Sequence, residues 1–407
     1  MNIGVYLGSM SPEEGGGHTF ERDIFQALQR RSSESRHALT VFTWAAGQFD
    51  RFAAPQFKIV SLARPFFDKA GRKIASLASA LLKKIRHPSA PFHVVTRFDW
   101  LLASHDIHLL WSLNPETLSM EIPYIVTVWD LQHRFQPFFP EASVQGEWAK
   151  RERKFAATLR RAAYIVSATR DGRDEIERFY QIPSERIKIL PYPTPRFALE
   201  FAPASASDVA QKYHLPEKYL FYPAQFWPHK NHVGILHALD RLRREHQLDL
   251  PVVFVGADKG NLLHVKRAAQ ALHVEDLTYF LGFIPQADLA ALYHHALALV
   301  FMTFFGPGNL PPLEAFALEC PVIASDVTGA AEQIGDAGIL VDPKDDQQLA
   351  LAIKSLHDDP QRRATLIQRG KRRASAWTSD NVVNGMMSLF DDFAAIRRCW
   401  GSYPERS

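Results

Sequence analysis

The chain has 407 residues, of which 46% are hydrophobic and 22% charged, with a net charge of +3. That length is enough for two ordinary domains with separate cores, and the composition describes a soluble globular protein. Two cysteines, Cys320 and Cys399, exclude a disulfide framework and fit a reducing cytosol, and the longest apolar run, ALALVFMTFF, falls short of the roughly 18 residues needed to span a bilayer.

The opening MNIGVYLG reads as a first β-strand and lacks the basic and long apolar regions of a signal peptide. Strand candidates follow at ALTVFTW, HLLWSL, YIVTVWD, AYIVSA and IKIL, with amphipathic helical stretches between them, such as 18–31 and 145–161. Such alternation predicts a parallel sheet with helices on both faces. The Pro-, Ala- and Ser-rich stretch PYPTPRFALEFAPASAS at 191–207 interrupts it. A second alternating series then runs through YLFYPAQF, PVVFVGA, LTYFLGF, ALALVFMTF, PVIASD and GILVD. The pattern predicts an α/β chain of two doubly wound, Rossmann-like domains, 1–195 and 196–378, facing a central cleft. A terminal helix and tail at 379–407 has either domain to return to, the N-terminal one first. The halves share a pattern without an internal repeat. Residues 1–192 hold 26 Lys/Arg against 20 Asp/Glu, so the N-terminal half is the basic one.

Open sheets of this type bind ligands beyond the carboxyl ends of their strands, so the loops there matter most. In GSMSPEEGGGHTFERDIFQAL, Gly15, Gly16 and Gly17 follow the first strand and open a helix. Glycines there let backbone approach a phosphate, although a plain flexible turn uses them equally well. In YPAQFWPHKNHVGIL, Pro223 and Pro228 stiffen a turn and Lys230–Asn231 open a helix, a place suited to a diphosphate. His229 and His232 lack a third ligand at metal spacing, and a structural or solvated role is expected for both. In FFGPGNLPPLEAFALECPVIASD, a GPGN turn and two prolines precede Glu314. The turn predicts that the first helical N–H groups and Glu314 face the cleft; a carboxylate in a first turn also stabilises the helix through its dipole.

These blocks, with TVWDLQH (127–133), FVGADKGN (254–261), FLGFIPQADLAALYHHALALV (280–300) and LPPLEAFALECPVIASDVTGAAEQIGDAGILVDP (310–343), make the chain resemble the family-4 retaining glycosyltransferases, the glycosyl transferases group 1, over nearly its whole length. The resemblance implies the GT-B fold and a nucleoside diphosphate sugar held mainly by the C-terminal domain. It implies that Glu314 binds the ribose hydroxyls and Lys230 the phosphate. Gly16 and Gly17 would approach the diphosphate from the other domain, and Phe283–Ile284 would line the base pocket. Gly308, Leu310 and Asn231 fall within the same donor-binding blocks. It also implies a hexose transfer by front-face displacement, in which the leaving phosphate helps deprotonate the acceptor. Asp130 is a candidate near the acceptor, with loop capping an equally good role.

The chain departs from that family at three places. A frequent glutamate is Gly306, a frequent arginine is Gln225, and a frequent histidine is Trp129. Asn309, Gln225 and His133 are the candidate substitutes, since each can donate to a phosphate or bind a sugar hydroxyl. GDP-mannose is the leading donor, and a glycan or lipid-linked oligosaccharide of surface polysaccharide synthesis the leading acceptor. No metal cluster is visible in the sequence, so no metal or other cofactor is expected. The rivals are a sugar-nucleotide epimerase and a catalytically silent sugar-nucleotide binder.

One stretch stands apart. FFDKAGRKIASLASALLKKIRHP, 66–88, carries an apolar stripe (Ile74, Leu77, Ala78, Leu81, Leu82, Ile85) flanked by Lys69, Arg72, Lys73, Lys83, Lys84 and Arg86. An ordinary surface helix reads this way, and so does a seat on an anionic membrane, which would make the protein peripheral at the cytoplasmic face. The segment lacks the aromatic interleaving of a nucleic-acid platform, and no nucleic-acid partner is expected.

Overall fold

The structure is a computed structural model that describes residues 1–8, 16–44, 57–62, 96–202 and 209–401. Its strands form two sheets. The first contains β1 (Asn2–Tyr6), β2 (Ala38–Thr43), β3 (Phe57–Ser61), β4 (Leu109–Ser112), β5 (Tyr124–Val128), β6 (Tyr164–Ser167) and β7 (Ile187–Ile189), in the order β3-β2-β1-β4-β5-β6-β7. The second contains β8 (Leu220–Pro223), β9 (Val252–Val255), β10 (Thr278–Gly282), β11 (Ala298–Phe301), β12 (Val322–Ser325) and β13 (Gly338–Val341), in the order β10-β9-β8-β11-β12-β13.

The registered pairings in both sheets are parallel. Short runs such as VVFV in β9 and ALVF in β11 are buried at every residue, as strands covered on both faces must be. In each sheet the strand order reverses beside the first strand, between β1 and β4 and again between β8 and β11. Those reversals are where a doubly wound sheet leaves a crevice. Two parallel α/β sheets are therefore present, as the alternating sequence predicts.

By compactness the chain divides into Met1–Thr127 with Arg161–Ala163 and Phe390–Ser407, and Val128–Arg160 with Tyr164–Leu389. In the first unit, Phe25 packs on Phe57 and Phe42 on Phe98, with ring centres 5.7 and 5.4 Å apart. The last turns of the helix Ser379–Arg397 belong to this unit. Phe390 meets the edge of Trp111, and Asp391 accepts from His37 Nε2 at 2.8 Å and from Arg36. In the second unit the core is centred on Phe221, Tyr222, Phe254, Leu292 and Ile323, all fully buried. Gly16 and Gly17 open the helix Gly16–Arg31 in the first unit. Gly15 and the basic segment 66–88 lie outside the described residues.

Candidate active site

The second unit contains a cavity of about 510 Å³, within the range of small-ligand sites. Four loops line it, each following the carboxyl end of a strand. Trp129, Asp130 and Gln132 follow β5, and Tyr192 follows β7. Trp227, His229 and Lys230 follow β8, and Phe305, Gly306, Gly308 and Asn309 follow β11. Glu141, Glu147 and Arg151, further along from β5, complete the wall.

The β8 loop holds Lys230 by its backbone. Pro228–Lys230 is a single 3-10 turn, and the Lys230 carbonyl accepts from the buried Tyr222 hydroxyl at 2.6 Å. Asn231 follows in the left-handed region (φ 52°) and caps the helix His232–His246, its Oδ1 accepting from Gly234 N–H at 3.1 Å. Its Nδ2 donates to the Pro343 carbonyl at 2.8 Å. The Lys230 ammonium lies 5.3 Å from the centre of the Phe301 ring. Burial pushes its pKa down to about 8, against the opposing pull of Asp130 and Glu141. A lysine so poised gains most from an anionic ligand, which restores the charge that burial penalises.

Glu141 is the other buried charge of the wall. It sits in the short helix Pro140–Ser143, and its Oε1 accepts from the His229 backbone N–H at 3.2 Å and from His229 Nδ1. Burial alone would raise the Glu141 carboxyl. The hydrogen bonds from His229 outweigh it and hold the group below its ordinary range. Burial pushes His229 the other way, so the ring is held neutral more readily than an exposed one. His232, by contrast, is stacked on Phe226 with ring centres 4.4 Å apart, and burial pushes it down to about 3. His232 thus sits packed among aromatic rings, whereas His229 holds the Glu141 carboxylate at the cavity wall.

The β11 loop is tightly built. Gly306 has φ +138°, and a Cβ there would stand 2.7 Å from the Asn309 amide, so no side chain can be accommodated without moving that amide. Asn309 Nδ2 donates to the Gly306 carbonyl at 2.9 Å. Gln333 clamps the backbone of Asn309 on both sides, accepting from its N–H at 3.0 Å and donating to its carbonyl at 2.9 Å. The helix Leu310–Ala317 starts here. Pro311 and Pro312 in its first turn carry no N–H, so the helix end presents fewer donors than the sequence reading assumes. Glu314, one turn in, is buried, and its Oε2 accepts from the Tyr293 hydroxyl at 2.7 Å.

The structure thus gathers Asp130, Lys230, Gly308 and Asn309 around one cavity. Glu314, Gln225, Asn231, Phe283, Ile284 and Leu310 belong to the same unit but are not part of that wall among the described residues. Gln225 accepts from the Trp227 indole at 3.0 Å, and Phe283 is exposed while Ile284 is buried. Gly16 and Gly17 lie in the other unit. One reading is corrected outright: His133 cannot serve as a hydroxyl or phosphate donor in this arrangement. It is fully buried, stacked 5.2 Å from Phe155, and hydrogen-bonded to Glu152 at 3.3 Å and the Tyr180 hydroxyl at 3.2 Å. The residue that sequence reasoning missed is Glu141, together with its pairing to His229. The signal was the PFFPE punctuation at 137–141, a proline-stiffened turn ahead of one carboxylate, like the one ahead of Glu314.

Comparison with known proteins gives matches along both halves. The family described as Glycosyltransferase Family 4 matches residues 15–194, and that described as Glycosyl transferases group 1 matches 207–373. The chain is 31% identical over 245 residues to the O-antigen chain mannosyltransferase B of Escherichia coli, which is 59% of this chain and 63% of that protein. The chain therefore spans less than two thirds of that curated relative. Sucrose-phosphate synthase of Thermosynechococcus elongatus has a TM-score of 0.71 at 19% identity, over 97% of this chain and 100% of its own. Anabaena HepE in complex with UDP and glucose has a TM-score of 0.67 at 16% identity, over 96% of this chain and 100% of its own. At those identities the likeness is one of fold.

Proposed function

We propose that this chain, which belongs to the glycosyltransferases of family 4 and group 1, transfers a hexose from a nucleoside diphosphate sugar to a glycan or lipid-linked oligosaccharide. The observation that carries the reading is Lys230 on the wall of the cavity it shares with the Gly306–Asn309 turn. That pairing makes an anion subsite beside walls of carboxylate, tryptophan and tyrosine, which suit a sugar. GDP-mannose is the favoured donor, and surface-polysaccharide synthesis the favoured setting, in line with the name of the E. coli relative.

In this reading Lys230 pairs with the diphosphate and stabilises the charge that develops as the glycosyl bond breaks. Configuration is retained by attack on the departing face, and the leaving phosphate takes the acceptor proton. Asp130 lies near the acceptor, and Glu314, held by Tyr293, reaches the ribose. In this reading the reaction runs without a metal. Among the described residues, no helix is long and apolar enough to cross a membrane, and the basic segment 66–88 provides attachment at an anionic surface.

Two steps test this. A panel of nucleotide sugars in thermal-shift measurements identifies the donor, because a ligand bound to the folded state raises its stability. The radiolabelled donor is then incubated with and without a lipid-linked acceptor fraction. Label transferred only with acceptor supports the reading. Interconversion of the sugar without transfer indicates an epimerase, and binding with neither indicates a silent binder.

A further inference from the structure

The carboxylate of Glu141 makes an unusual combination with its surroundings. Its side chain is only 5% exposed, yet the residue lines the cavity. Its hydrogen bonds to other residues fall on one oxygen. Oε1 accepts from the backbone N–H and Nδ1 of His229 and, at 3.5 Å, from Gln132 Nε2. Oε2 is buried and has no partner among the described residues. A buried carboxylate oxygen without a donor is costly, so the arrangement makes sense when an occupant of the cavity supplies one. His229 holds the group in place through Oε1, leaving Oε2 without a partner among the described residues.

The neighbours restrict what the occupant is. Lys230 on the same wall calls for an anion, and an anion placed against Oε2 would be repelled. The part of the ligand beside Glu141 is therefore uncharged and carries a hydrogen-bond donor. Gly306 on the β11 loop has no side chain to fill this role, and a Cβ there would collide with Asn309. Trp129, Tyr192 and Trp227 line the same cavity and supply flat apolar faces suited to the C–H faces of a sugar ring.

We propose that Glu141, anchored by His229, is a specificity-determining residue that accepts a hydrogen bond from a hydroxyl of the donor sugar through Oε2. The proposal rests on the glycosyltransferase reading above and names the residue that selects the sugar within it. A site built to accept from a hydroxyl discriminates strongly against an analogue lacking that hydroxyl, because the carboxylate is then left buried and unpaired.

The test compares binding of GDP, GDP-mannose and a set of singly deoxygenated GDP-mannose analogues to the wild type and to Glu141→Gln. The wild type should reject one deoxy analogue by about 10- to 100-fold, the range for a lost hydrogen bond to a charged group. Glu141→Gln should bind GDP as the wild type does, bind GDP-mannose more weakly, and lose that discrimination. His229→Gln, which loosens the anchor while leaving the carboxylate, should blunt it partway and serves as the second variant should Glu141→Gln fail to fold. Unchanged discrimination in a folded variant, with GDP still bound, overturns the assignment of Glu141 alone. Equal loss of GDP and GDP-mannose overturns it as well, since the residue would then only support the wall. A wild type that binds neither GDP nor any nucleotide sugar overturns the underlying reading and this inference with it.

Discussion

Under the proposed function, nucleotide affinity turns on Lys230. Lys230→Ala should weaken a free nucleoside diphosphate and its sugar conjugate alike, by about 10- to 100-fold, as measured by calorimetry. Its depressed pKa gives the pH dependence a definite sign. With a folded value of about 8 against an ordinary 10.5, the lysine sheds its proton in the folded state first. Diphosphate affinity should therefore fall as pH rises through 8, and Lys230→Ala should flatten that slope. Stability of the empty protein moves the opposite way, because between those two values the unfolded chain binds more protons. Affinity that is flat from pH 7 to 9 would remove Lys230 from the phosphate. Glu314→Ala should cripple transfer while the fold persists; undiminished turnover at low donor would return Glu314 to a purely helical role. The residues legible in the sequence, Asp130, Lys230, Gly308 and Asn309, each follow a strand within a few positions, where local punctuation marks them. Glu141 and His229 are 88 positions apart, and no spacing rule connects them. The surroundings of His133 are hidden for the same reason, since its partners Glu152 and Tyr180 come from later helices.

At the scale of elements, the turn after β11 is braced from outside. Gly329 has φ +82°, and a Cβ there would lie 2.1 Å from the Pro307 carbonyl oxygen; its N–H donates to Asp171 at 2.7 Å. Gly329→Ala should therefore displace the Gly306–Asn309 turn and cost roughly 1–3 kcal/mol, the range for a strained backbone position. Thermal denaturation checks the loss, and donor titration should show weakened binding in the same variant. A protein of wild-type stability would mean that the turn relaxes freely. The sequence marks this turn by its Pro and Gly content, but not the clamp of Gln333 on Asn309, which depends on the short helix Ala330–Ile334, 24 residues on. Nor does it reveal the shortage of N–H donors until Pro311 and Pro312 are placed inside the first turn. Strands were the most legible elements, because burial on both faces forces the continuous apolar runs that betray them.

For the molecule as a whole, two parallel sheets follow from the alternation of strand and helix patterns, and a cavity lined by loops beyond strand ends follows from that winding. The unequal charge of the halves bears on where the protein works. If the segment 66–88 attaches to a membrane, the wild type should sediment with anionic liposomes at low salt and release as salt rises, since exposed charges are screened. Changing Lys83, Lys84 and Arg86 to Glu should abolish sedimentation and leave thermal stability intact. A wild type that stays in the supernatant would make the segment an ordinary surface element. The central claim, that the protein transfers a sugar with its configuration kept, is tested most directly by following the anomeric proton by NMR. With GDP-α-mannose and an acceptor glycan, the account predicts an α-linked product formed in step with released GDP. A β-linked product, an epimerised nucleotide sugar, or GDP-mannose left intact beside a competent acceptor would contradict it.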